Sequence, residues 1–175
     1  MKRRLPLLAL LLSLLLSALP GRAQEAPDWW NYQSTRDGRP YAVRVDMGLR
    51  RVFPLSGLPY VVITGAAYPS ARADGLPELN DQERLDALAD ALAAAVGRKT
   101  RTIFAGSTAR DGQQRNYFYV TDPNGLNQVI AAVYARLCRD CKTSTEIRAD
   151  AAWSVYRDAL FPDEETRQRY GLRAY

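Results

Sequence analysis

The chain has 175 residues, with 24 Lys+Arg against 19 Asp+Glu, two cysteines and no histidine. That composition excludes a Ser-His-Asp or Cys-His nucleophile pair and any histidine general base. It also argues against a zinc site, because two thiolates alone leave the metal underligated. Neither a Gly-x-x-x-x-Gly-Lys-Ser/Thr loop nor a Gly-x-Gly-x-x-Gly fingerprint occurs, so no nucleotide cofactor is expected.

Residues 1–23 read as a secretory signal peptide. Lys2, Arg3 and Arg4 are followed by the almost wholly apolar residues 5–19, and then by Pro20, Gly21 and Ala23. Basic start, apolar run and small residues are its three parts, and the run falls short of the roughly 20 residues that span a bilayer. Cleavage is expected after Ala23, leaving residues 24–175 as one domain with a frayed start at 24–28. Lys2, Arg3, Arg4 and Arg22 precede the cut with no acid among them, so the mature chain carries 20 cations against 19 acids, a net +1. A basic surface for nucleic acid or anionic lipid is therefore not expected. The expected location is exported, periplasmic or secreted.

In the mature part, residues 30–35 and 41–49 read as a hairpin around Asp37-Gly38. Tyr41, Val43, Val45, Met47 and Leu49 alternate with smaller or polar residues, the pattern of a half-buried strand. Residues 58–65 form a compact apolar run, predicted as a buried strand. A loop over 69–77 leads to a helix opened by Asn80 with Glu83 as capping-box partner. Its stripe is Leu85, Leu88, Leu92 and Val96, and Gly97 is expected to close it. Residues 100–108 and 114–121 read as a second hairpin around Asp111-Gly112. Leu126, Val129, Ile130, Val133, Tyr134 and Leu137 mark another helix. A strand over 143–149, a helix over 151–160 and a short helix over 163–170 complete the chain.

From residue 58 to 149 the order is βαββαβ, that of a ferredoxin-like split unit with two helices on one face of an antiparallel sheet. The expected class is α+β, with an N-terminal β-hairpin and C-terminal helices added. These additions could extend the sheet or cover its open face, and the fold alone argues for no function.

Cys138 and Cys141 are expected to form a disulfide in an exported protein, stapling a helix end across a short loop. A redox-active pair is the sharper alternative, but such pairs favour a helix N-terminus, and these residues follow a helix. Arg115, Tyr117 and Tyr119 share one face of their strand by alternation, with Phe118 and Val120 on the other. An RNA-recognition domain places a cation and aromatics on the corresponding strand to stack bases. Here Asn116 and Phe118 replace the glycines of that motif, and the tyrosines are expected to pack under the hairpin or the C-terminal helices, with Arg115 paired to an acid. Trp29, Trp30 and Trp153 are expected to help cover that face. Asp46 is expected to be solvated or paired with an arginine, and Asp150 to cap a helix. Trp30, Asp46, Asp150, Arg115, Tyr117 and Tyr119 are the candidate binding residues, and none is assigned as catalytic.

The chain resembles the domain-of-unknown-function 695 family, small bacterial domains with no assigned activity. The features are Trp30 and Tyr32 before Asp37-Gly38-Arg39-Pro40, then Gly75-Leu76-Pro77 ahead of the amphipathic helix. Gly112 with Arg115-Asn116-Tyr117-Phe118-Tyr119 follows, and then Asp150-Ala151-Ala152-Trp153 through Leu160-Phe161-Pro162. The resemblance implies a fold and no reaction; some relatives are thought similar to the inhibitor of ribonuclease E, a cytoplasmic target. The Cys138/Cys141 pair lies outside the family's pattern. The expectation is an exported, non-catalytic binding module for a protein or small ligand of the cell envelope. The alternatives are a histidine-free hydrolase using two carboxylates, which needs acids converging in a pocket, and a nucleic-acid binder using the aromatic sheet face.

Overall fold

In the computed structural model residues 26–171 are described; the expected leader and its cut lie outside them. The described chain is a mixed α/β fold on one six-stranded antiparallel sheet. Strands β1 (Trp29–Arg36) and β2 (Arg39–Asp46) form the first hairpin. Asp37 and Gly38 both take positive φ, 53° and 73°, the two left-handed positions that a tight hairpin turn demands. Strand β3 (Tyr60–Ala67) leads to helix α1 (Leu79–Lys99). Strands β4 (Thr102–Arg110) and β5 (Gln113–Val120) make the second hairpin. Helix α2 (Leu126–Leu137), strand β6 (Thr143–Ala149) and the short helix α3 (Glu164–Arg169) follow.

The sheet order is β1-β2-β4-β5-β3-β6. The first hairpin extends the sheet through pairing of β2 with β4. Helices α1 and α2 cover one face, burying Leu88, Leu92, Val96, Ile130 and Val133 against Val62, Phe118 and Val120. The opposite face holds Tyr41, Val43, Val45, Tyr117 and Tyr119 beneath Trp153, Tyr156 and Leu160. The C-terminal segment thus covers this face. Phe118 and Val120 face the two helices and Tyr117 and Tyr119 the other side, as the two-residue period of a strand requires.

Several boundaries differ from the sequence pattern. The β2 alternation runs on to Leu49, but the strand stops at Asp46 and residues Met47–Arg51 form a 3-10 turn. Met47 and Leu49 are still buried, because a tight turn can also bury alternate residues. Helix α1 begins at Leu79 with Glu78 in the capping position and no side-chain cap, so Asn80 and Glu83 lie inside the helix. Gly97 also lies inside, and the end comes at Thr100, whose N–H bonds the Val96 carbonyl. The helix expected over 151–160 is confined to the stretch after Trp153, ending in a π-helical turn at Tyr156–Leu160. Trp153 has φ of 55°, which a continuous right-handed helix cannot include. Asp28, in the segment expected to fray, is fixed at both backbone groups. Its N–H donates to Asp46 Oδ1 at 2.9 Å, and its carbonyl accepts from Met47 N at 2.8 Å.

Candidate functional site

The first hairpin reaches past the helix layer, and a groove opens where α1 overhangs its uncovered face. Its free volume is about 650 Å³. Register explains its chemistry. Asn31 pairs with Arg44 and Arg44 with Ser107, and Gln33 pairs with Ala42 and Ala42 with Ala109. Ser107 pairs with Asn116 and Ala109 with Gln114. Two rows of mainly polar side chains therefore cross four strands on one face. One wall is α1. Asp86 Oδ1 accepts from Arg44 Nη1 at 3.4 Å and from Gln82 Nε2 at 3.0 Å. The Arg44 guanidinium also lies 4.6 Å above the Trp29 ring. At the back, Gln114 Nε2 donates to the Leu85 carbonyl and to Asn116 Oδ1. Amide and hydroxyl groups in a concave site of this size provide hydrogen-bonding directions for a ligand. Among the described residues Asp86 is the only carboxylate lining the groove, so no two described acids converge there.

The residues singled out from the sequence fall in different places. Trp30 is half-buried on the opposite face from the groove, and its Nε1 donates to Asp28 Oδ1 at 2.8 Å. Trp29 faces the helix side instead of joining Trp30 and Trp153. Its ring lies 5.5 Å from Phe104, which in turn lies 4.9 Å from Phe118. Asp46 is not solvated, the first of its two expected settings. It is buried, and its Oδ1 accepts from Asp28 N and Gly48 N, both at 2.9 Å. It starts the 3-10 turn and ties the chain before β1 to the end of β2.

Asp150 and Tyr119 form the densest polar network. Asp150 Oδ1 accepts from Ser154 N at 2.8 Å and Ser154 Oγ at 2.6 Å. Its Oδ2 accepts from Val155 N at 2.9 Å and Tyr119 OH at 2.6 Å. The Tyr119 oxygen accepts in turn from Tyr156 N at 3.0 Å. Burial opposes ionisation of Asp150, but hydrogen bonds from Ser154, Tyr119 and Val155 outweigh it and hold the carboxyl below its ordinary range. Burial first, and then the neighbouring Asp150, push the Tyr119 hydroxyl well above its ordinary range, so it remains a donor at neutral pH. Trp153 stacks on Tyr119 with ring centroids 3.7 Å apart. No face of Tyr119 is left for a ligand base.

Arg115 and Tyr117 line a second cleft, of about 340 Å³, on the tyrosine face near the two hairpin turns. Among the described residues, Arg115 makes no ion pair with an acid, contrary to expectation. Tyr117 is buried, and its hydroxyl lies 3.1 Å from Thr108 Oγ1. Cys138 and Cys141 pair just after α2 with Cα atoms 5.3 Å apart, and no cysteine is free. Among the described residues no group of His, Cys, Asp or Glu could hold a metal ion, and no helix is long and apolar enough to cross a membrane.

Sequence reading missed the groove altogether. Its residues are scattered over β1, β2, α1, β4 and β5, and only strand order brings them together. The available signal was the polarity of Ser107, Gln114 and Asn116 within otherwise core-forming strands.

Comparison with known proteins places the chain by family. Residues 27–161 match a family of unknown function (DUF695), and the chain belongs to it. No curated protein and no solved structure matches the chain.

Proposed function

We propose that the protein is an exported, non-catalytic binding module whose α1–hairpin groove holds a hydrogen-bonding ligand of the cell envelope. The observation that carries this reading is the pair of polar rows crossing β1, β2, β4 and β5 beneath the start of α1. A concave volume lined by amide and hydroxyl groups suits a polar chain or small molecule, and the single lining carboxylate offers no acid–base pair.

The scaffold of this module is a ferredoxin-like split unit formed by residues 60–149. The order β6-β3-β5-β4, with α1 and α2 on one face, supports that reading. The hairpin is an extension of the unit and the C-terminal segment its cover. Residues 1–23 are the leader, residues 24–175 the mature domain, and Cys138 and Cys141 an oxidised pair suited to an oxidising compartment.

Pull-down of the processed protein from the envelope fraction tests the function, with mass spectrometry of both proteins and small molecules. A partner retained by the native protein and lost on Gln33→Ala or Asn31→Ala, with unchanged melting, supports the groove. Partners equally retained by both variants would remove the groove from consideration.

A further inference from the structure

The opposite face of the sheet carries a separate feature. The C-terminal cover ends over Tyr41, whose hydroxyl donates to the Ala159 carbonyl at 2.7 Å. Beyond that point, towards the turns at Asp37-Gly38 and Asp111-Gly112, the cleft of about 340 Å³ is left open. Three guanidinium-bearing residues from three strands line it: Arg36, Arg110 and Arg115. Arg110 is neutralised within the protein, pairing with Asp37 and Asp111 at 3.1 Å each. The other two are not. The Arg36 guanidinium lies 4.7 Å above the Tyr41 ring, and its Nη2 donates to the Asp158 carbonyl at 2.7 Å, a neutral acceptor. Arg115 has no ion-pair partner among the described residues. Both residues line the cleft together with Tyr41. Gln113, the Thr108–Tyr117 hydroxyl pair and Asp111 complete the lining, the Asp111 carboxylate being paired with Arg110 and Arg39 at 3.1 Å each.

The one lining carboxylate, Asp111, is taken up by Arg110 and Arg39, so the Arg36 and Arg115 charges in the same cleft repel one another, and an anion between them removes that cost. The donors are forked and numerous, more than the two oxygens of a carboxylate can accept. We propose that the Arg36–Arg110–Arg115 cleft is a binding site for a phosphate group, carried by a soluble phosphorylated compound or by a phospholipid headgroup. It is independent of the groove, which lies on the other side of the sheet.

The test uses the full chain as its host processes it, titrated with inorganic phosphate while arginine Nε–H resonances are followed. Chloride is adjusted to hold ionic strength constant. Saturable shifts are expected in two arginine signals. Arg115→Gln should weaken binding about tenfold, the value of one lost charge-assisted contact. It should leave melting unchanged, since no intramolecular partner is lost. Pelleting with phosphatidylglycerol vesicles, competed by phosphate and lost in Arg115→Gln, would assign the headgroup as source. Phosphate binding without pelleting would assign a soluble compound. Absence of saturable shifts, equal binding by the Arg115→Gln protein, or equal binding of acetate would overturn the proposal.

Discussion

Asp150 receives four donors from three residues that lie on both sides of its strand end. Replacing it by Asn keeps the shape but removes acceptor capacity, and should cost about 2 kcal/mol at pH 7. Because its folded pKa is depressed, the carboxylate contributes stability above the unfolded value of about 4 and loses it as pH falls through the folded value. Urea midpoints of the native and Asp150→Asn proteins should therefore converge in acid. A gap independent of pH would show that the charge contributes nothing. Neighbouring strand residues test the two faces. Phe118→Ala should cost roughly 3–5 kcal/mol against the helix layer. Tyr119→Ala should cost a comparable amount, about 3–5 kcal/mol, because its ring is wholly buried under Trp153. Thermal melting measures both, and native-like melting of Tyr119→Ala would contradict a covered face. The division of faces was legible from alternation alone. The fate of Arg115 was not, because alternation gives a face and says nothing of which acids lie nearby.

Elements announced by local chemistry were read correctly, and those set by tertiary context were not. The first hairpin, α2 and β6 were legible from turn residues and periodicity. The start of α1 and the break at Trp153 were not. A carboxylate at 150 takes the N–H groups of Ser154 and Val155, and that contact allows the helix to begin only beyond Trp153. The β2–β4 junction is where the hairpin joins the sheet, and there Gly106 lies opposite Val45, next to a register shift in the β4–β5 pairing. It has φ of 150°, and a Cβ would stand 2.3 Å from the Arg44 carbonyl oxygen. Gly106→Ala should cost about 2–4 kcal/mol and loosen the hairpin first, seen as faster amide exchange in β1 and β2 than in β3. Uniform exchange would mean that the junction is not the weak point. At the end of α2, Cys138 and Cys141 close a three-residue separation. Replacing both by Ser should cost about 1–2 kcal/mol, since loop entropy scales with loop length. Alkylation without reductant should find no free thiol, and insulin reduction by the protein would indicate a redox role instead.

For the whole molecule, composition reads differently with and without the proposed leader. The +5 of the chain becomes +1 once residues 1–23 are removed, which points away from a generally basic surface and towards charge gathered locally. If the proposed leader is removed, N-terminal sequencing of the mature protein should begin at Gln24. A Met1 or Lys2 start on membrane-bound material would make the leader an anchor. The broad α/β class was readable from the order of elements. The sites were not, because the groove and the arginine cleft are assembled by sheet order, which places β2 beside β4 across more than fifty residues of intervening chain.

The seam between the first hairpin and the C-terminal cover has a consequence for timing. Tyr32, Tyr41 and Arg36 donate to the carbonyls of Leu160, Ala159 and Asp158, residues 118 to 128 positions later. Tyr156 donates back to the Asp46 carbonyl across 110 positions. The earliest strands to leave the ribosome therefore have no lid until the last fifth of the chain arrives. Contacts so distant along the chain close late and slowly. Until its tail arrives the chain stays unfinished, and the hairpin is the last part of the molecule to lock.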